Sequence, residues 1–137
     1  MNYQVVSHLN EQQILTLVEL YQNEFWSKNR KYEDVLRMLK HSDIIIALLD
    51  EDEQLIGFSR ILTDFVYRAT LYDVIISPSY RNIGLGAKLL ETAINHPQLK
   101  DVETIALYCL PNMIPFYQRW GFSTKTNGLQ LMYRCSQ

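Results

Sequence analysis

The chain has 137 residues, 47% of them hydrophobic and 20% charged, with a formal net charge of −2 and an isoelectric point near 5.9. That length suits one domain over residues 1–137 and is too short for two cores, and so slight a charge leaves no basic footprint for nucleic acid. The longest apolar run, residues 44–49, falls far short of the roughly 20 residues of a membrane helix, and no basic-then-apolar leader opens the chain, so no membrane association and a cytoplasmic location are expected.

Residues 3–9 alternate weakly and read as a first strand, after which Asn10 can cap a helix through about residue 21. Ile14, Leu17, Val18 and Tyr21 recur there at helical spacing and mark its buried face. Phe25 and Trp26 follow near the helix end, ahead of the polar stretch Ser27-Lys28-Asn29-Arg30-Lys31; a second helix is expected over 32–40 with Val35, Leu36 and Leu39 inward. The β-branched run 44–49 reads as a central strand, turned back by Asp50-Glu51-Asp52-Glu53 into a partner strand over 55–62. Residues 71–76 form the next strand.

A glycine-bearing loop comes next, then a helix over 84–95 with Leu89, Leu90, Ala93 and Ile94 on one face, stopped by Pro97. A strand over 104–110, a short helix over 114–120 and a closing pair of strands, 122–126 and 129–133, complete the chain, with Asn127-Gly128 at the last turn. Hairpins mixed with helical crossovers make this an α/β chain with a mixed sheet. Its two cysteines, Cys109 in a strand expected to be buried and Cys135, are too few for a disulfide framework and read as reduced thiols. With no Cys-x-x-Cys, no His-x-x-x-His and no carboxylate cluster at ligand spacing, no metal site is expected, and His8, His41 and His96 read as surface or capping residues.

The most informative stretch is Arg81-Asn82-Ile83-Gly84-Leu85-Gly86-Ala87, between an apolar strand and an amphipathic helix. A helix starts with unpaired backbone N–H groups and a partial positive charge, so a turn bent around a diphosphate there gains hydrogen bonds without any basic side chain. Gly84 and Gly86 let the backbone approach closely, and Arg81 adds a bidentate donor at the rim. The spacing lacks the Gly-Lys-Ser/Thr ending of a P-loop and the third glycine of a dinucleotide fingerprint. The second segment is Leu110-Pro111-Asn112-Met113-Ile114-Pro115-Phe116-Tyr117-Gln118-Arg119-Trp120-Gly121-Phe122.

Together the two segments resemble those of the GCN5-related N-acetyltransferase (GNAT) family, and the order of expected elements matches that family over nearly the whole chain. The resemblance implies a twisted, mostly antiparallel central sheet flanked by helices, the acyl-CoA N-acyltransferase-like fold, in which the strand before the glycine loop and the strand before Asn112 run parallel and splay apart. It implies acetyl-CoA as cosubstrate and a primary amine as acceptor. Residues 81–87 then take the pyrophosphate, the backbone at Ile75 and Ile76 meets the acetyl carbonyl or the pantetheine amide, and Asn112 and Phe116 complete the cofactor site. Asn112 reads equally as a helix cap.

Tyr117 is the candidate acid: a phenol of pKa ~10 can protonate a thiolate whose conjugate acid lies near 8.5. Its other reading is a core aromatic. Asp73, the one carboxylate in the strand before the loop, is the candidate base, with desolvation expected to raise its pKa; it could instead hold a loop or bind a cationic acceptor. Cys109 lacks a His/Asp partner in the sequence and is not read as a nucleophile. Phe25, Trp26, Arg60, Asp64, Phe65 and Tyr67 are expected to wall the acceptor, the aromatics taking a cation by its face, although Phe25 and Trp26 could equally close the core. A small-molecule amine is the expected acceptor, against a protein or peptide amine and against a non-catalytic acyl-CoA sensor. The closing strands offer an edge that would pair two copies into a homodimer.

Overall fold

The computed structural model describes residues 2–136. Its element order is β1 (Gln4–Val6), α1 (Glu11–Gln22), α2 (Tyr32–Lys40), β2 (Ile44–Leu49), β3 (Leu55–Thr63), β4 (Arg68–Ile76), α3 (Leu85–Ile94), β5 (Thr104–Leu107) and α4 (Ile114–Gln118). The five strands form one sheet in sequence order. All neighbours run antiparallel except β4 and β5, which run parallel across the α3 crossover. The chain divides into two compact units, Met1–Leu107 and Tyr108–Gln137.

In the first unit Asn10 caps α1 as expected, its side chain accepting from the Gln13 N–H while the Gln13 side chain accepts from the Asn10 N–H. Ile14, Leu17, Leu20 and Tyr21 of α1 and Val35 of α2 pack on Ala47, Leu49, Phe58 and Ile75 of the sheet. Leu36, expected inward, is exposed; Leu39 packs against the core as expected, together with Met38. The opposite sheet face, with Ile46, Leu48 and Ile61, is covered by α3 through Leu85, Leu89, Leu90 and Ala93.

One irregularity shapes the middle of the sheet. Phe58 pairs with Ile75 and Arg60 with Tyr72, so β4 carries an extra residue opposite Ser59, and Asp73 sits there in the left-handed region at φ 58°. Such a bulge bends and twists its strand. Pairing of β4 with β5 stops at Leu71↔Leu107, just short of it, while β4 runs on to Ile76. The parallel pair the resemblance implied is therefore present, and it ends where β5 ends. The strand expected over 104–110 accordingly ends at Leu107, and Cys109 is exposed rather than buried in a strand.

In the second unit α4 is one short helix ended by Gly121, whose φ of 87° is open to glycine. The turn brings the Phe122 ring to 6.1 Å from Tyr117. The closing strands expected at 122–126 and 129–133 do not form. The turn itself is made, with Asn127 and Gly128 both at positive φ and Leu129 N–H on the Thr126 carbonyl at 3.1 Å. Local bonds replace the ladder: Ser123 Oγ takes the Lys125 N–H and Thr126 Oγ1 donates to the Leu129 carbonyl. A two-stranded ribbon is marginal without a third strand, and the edge expected to pair with a second copy is not formed.

Candidate active site

The turn ahead of α3 is built by its backbone. Asn82 and Gly84 lie in the left-handed region, at φ 65° and 89°, and Gly84 is the N-cap of α3. The first intrahelical bond in this region is Lys88 N–H to the Gly84 carbonyl, at 3.2 Å. The backbone N–H groups of residues 84–87, at the free start of α3, meet no acceptor among the described residues. Alternating handedness turns successive N–H groups into one concavity, and the helix adds its positive end. The result is a turn over Asn82, Ile83, Gly84, Leu85, Gly86 and Ala87 that ends on the positive end of α3 and contains no basic side chain.

Arg81 departs from expectation. Its Nε donates to the Ile76 carbonyl at 2.9 Å and its Nη2 to Glu24 at 3.1 Å, so it ties the loop to the end of β4 and to the segment after α1 rather than standing free as a bidentate donor. Ile75 is buried in the core under α1, and Ile76 closes the β3–β4 ladder opposite Gly57.

Asp73 lies under a different set of contacts. Tyr21 Oη donates to its Oδ2 at 2.9 Å, Arg30 Nη1 at 2.8 Å and Arg60 Nε at 2.7 Å. Its side chain is 4% exposed. Burial pushes the carboxyl up, as the sequence suggests, but Arg30 and Arg60 outweigh it, so the pKa moves below the ordinary carboxylate value. The expected rise is reversed. Desolvation, then Asp73 itself, pushes the Tyr21 phenol far above its usual range, which keeps it a donor.

Of the expected acceptor wall, the structure brings together Phe25 and Trp26. With Lys28, Asn29, Arg30 and Asp34 they line a cleft of about 280 Å³. Neither closes the core: Phe25 is 70% exposed and Trp26 40%. Arg60 does not line the cleft but reaches it indirectly, through the Asp73 carboxylate it shares with Arg30. Asp64, Phe65 and Tyr67 form the β3–β4 turn, where Asp64 Oδ1 accepts the N–H groups of Val66, Tyr67 and Arg68. That is a turn-building job, and none of the three lines the cleft.

Arg30 and Tyr21 are the residues that sequence reasoning missed. Arg30 reads as one of a run of solvated polar residues and Tyr21 as plain core. The nearest signal was the buried carboxylate at 73, which demands cationic partners that no sequence spacing identifies.

In the second unit Tyr117 is the buried residue of α4, with Phe116 and Phe122 rings edge-on at 5.1 and 6.1 Å. Desolvation, then Cys109, pushes its phenol above the ordinary value, and desolvation likewise raises the Cys109 thiol. Asn112 is exposed in the turn Pro111–Met113, and α4 has Met113 at its N-cap with no side-chain bond, so Asn112 does not cap it. Among the described residues no group of three or more His, Cys, Asp or Glu could hold a metal, and no helix is long and apolar enough to cross a membrane.

A family model described as "Acetyltransferase (GNAT) family" matches residues 12–122. The chain is 34% identical over 120 residues to an uncharacterized N-acetyltransferase, ycf52, of Porphyra purpurea, covering 85% of this chain and 68% of that protein. It is 32% identical to the ycf52 N-acetyltransferase of Pyropia yezoensis, over 92% and 75% of the two chains. Among solved structures, one from Xanthomonas campestris pv. campestris, of a protein belonging to the GNAT family, superposes with a TM-score of 0.85 at 24% identity, covering 99% of this chain and 94% of that one. At that identity the likeness is one of fold.

Proposed function

The chain belongs to the acetyltransferase (GNAT) family and is an N-acetyltransferase, and from that premise we propose that it moves an acetyl group from acetyl-CoA to a primary amine of a small cytoplasmic molecule by direct attack on the thioester. The observation that carries this reading is the run of unpaired N–H groups over 84–87 at the head of α3, in a turn bent by left-handed Asn82 and Gly84. A diphosphate is the natural occupant of such a turn. The pantetheine arm then follows the end of β4, past the backbone at Ile75 and Ile76.

Collapse of the tetrahedral intermediate releases a thiolate, which takes its proton from the Tyr117 phenol. The raised pKa keeps the phenol protonated, and so able to donate, at neutral pH; it also widens the gap to the thiol, so the transfer is uphill and is drawn forward by departure of the product. A backbone N–H near Ile76 stabilises the oxyanion, a contribution on the order of 3 kcal/mol. Asp73 is not the base in this scheme. A carboxylate already accepting three donors and held below its ordinary pKa is a poor proton acceptor at neutral pH; it positions Arg30 and Arg60, and the amine proton leaves through water.

A small acceptor is favoured by the cleft beside Trp26, whose volume of about 280 Å³ sits at the low end for small-molecule sites. Thiol release from acetyl-CoA in a screen of amines, amino acids, polyamines and lysine peptides tests the reading. Release with a free small amine supports it; release with peptides alone would move the acceptor class to protein; cofactor binding without release to any of them would make the chain a sensor.

A further inference from the structure

We propose that Arg30 selects the acceptor by holding a carboxylate group of it in the cleft beside Trp26. Identifying that ligand as the acceptor rests on the transferase reading; the anion site itself rests on the charges and donors around Asp73.

Two guanidinium groups share one carboxylate there. Arg60 is 13% exposed, Arg30 30% and Asp73 4%, so the cluster carries one positive charge more than it neutralises. The neighbouring charges do not correct this. Lys28 and Asp34 line the same cleft with opposite signs and form no ion pair with Arg30, and Glu24 pairs with Arg81 instead. An unbalanced, partly buried charge is expensive unless a ligand balances it.

The donor count points the same way. Tyr21 Oη, Arg30 Nη1 and Arg60 Nε all converge on Asp73 Oδ2. Arg30 Nη1 is the nitrogen that pairs with a carboxylate, and neither Nε nor Nη2 does so among the described residues, while the guanidinium also bonds the Tyr21 side chain and lines the cleft. The Nε–Nη2 edge is the planar fork that meets a carboxylate with two parallel hydrogen bonds.

The fork is also pre-set, which reduces the ordering that binding requires. Arg30 N–H bonds the Ser27 carbonyl at 3.0 Å, and Gln22 Nε2 bonds the Arg30 carbonyl at 2.9 Å. Its guanidinium lies 4.6 Å from the Tyr21 ring centre and 5.5 Å from that of Trp26. A carboxylate fits better than a phosphate, because one surplus charge is matched by one negative charge, whereas a phosphate near −2 overbalances it. Phe25 and Trp26 offer an apolar wall to the rest of the molecule.

Trp26 makes the site readable without cofactor. In a Trp120→Phe background its fluorescence is titrated at constant ionic strength with N-acetyl-leucine, N-acetyl-leucinamide and inorganic phosphate. The site predicts saturable binding of the carboxylate at least tenfold tighter than of the amide or of phosphate, with that preference abolished by Arg30→Gln and weakened by Arg30→Lys, which keeps the charge and loses the fork. Equal binding of carboxylate and amide, preference for phosphate, or a preference unchanged in Arg30→Gln overturns it; if Arg30→Gln does not fold, the comparison of ligands on the parent protein decides alone. A parallel acetyl-CoA titration separates the two readings. Carboxylate selectivity in a protein that ignores acetyl-CoA would sink the transferase and leave the Arg30 site standing, whereas acetyl-CoA turnover with no carboxylate selectivity would do the reverse.

Discussion

Arg60 Nε and Asp73 Oδ2 meet at 2.7 Å across the β3–β4 pair, where β4 carries its bulge. An unbulged strand would shift the residues beyond it by one position and turn this side chain to the other face. The bulge therefore delivers a carboxylate from the middle of the sheet to the α1–α2 side, where Tyr21 and Arg30 complete its shell.

Removing that carboxylate leaves two guanidinium groups facing each other with little water. Asp73→Asn should lower stability by about 3–5 kcal/mol at neutral pH. Because the folded pKa is depressed, the contribution is fully present above the ordinary carboxylate value of about 4 and fades as pH falls through the lower folded value. Urea unfolding at a series of pH values should show a constant gap between parent and variant from pH 7 to 5 and a shrinking one below 4. A gap that widens on acidification would contradict the ion-paired state.

Tyr21→Phe deletes one donor to the same oxygen and nothing from the core volume. The expected loss is about 1.5–3 kcal/mol, the range for hydrogen bonds to charged groups. In the parent protein the Tyr21 phenol should show no ultraviolet ionisation step up to pH 10, since burial and Asp73 both hold its proton.

Tyr117→Phe should lower kcat by about 10²–10⁴-fold, the span of general-acid catalysis, while leaving acetyl-CoA affinity within about twofold. With the phenol pKa raised, kcat in the parent enzyme should not decline on the alkaline side before pH 10. Loss of acetyl-CoA binding in the variant would show that Tyr117 serves structure instead.

Gly57 is set by packing rather than by backbone freedom. A Cβ there would stand 3.0 Å from Ile76 Cδ1 and 3.1 Å from Leu48 Cδ1. Gly57→Ala should destabilise by about 1–3 kcal/mol through overpacking, and adding Leu48→Val should recover part of the loss in thermal unfolding.

Capping chemistry at Asn10 and helical periodicity made α1 legible nearly to the residue, and the apolar β-branched run made β2 so, while α2 was placed correctly without a capping side chain and with Leu36 on the wrong face. The glycine loop was legible as a turn for a related reason: its shape is set by backbone at positive φ, and glycines advertise backbone. The closing strands were misread, since alternation around Asn127-Gly128 specifies a turn, while a ladder also needs neighbours that local side-chain bonds at Ser123 and Thr126 deny it. Tyr21, Arg30, Arg60 and Asp73 share no sequence period. Only the bulged register of β4 and the tight turn after α1 bring them to one oxygen atom.

The most direct measurement is calorimetric titration of acetyl-CoA into the parent protein and into Gly84→Glu. A Cβ at residue 84 meets no protein atom within 4 Å, so the substitution acts through the left-handed backbone, a strain of about 1–2 kcal/mol, and through the negative charge placed at the proposed diphosphate site. Saturable micromolar binding to the parent, lost in a folded Gly84→Glu, is the predicted result. No binding to the parent, or equal binding to both, would contradict the assignment of residues 82–87 as the diphosphate site and with it the proposed chemistry.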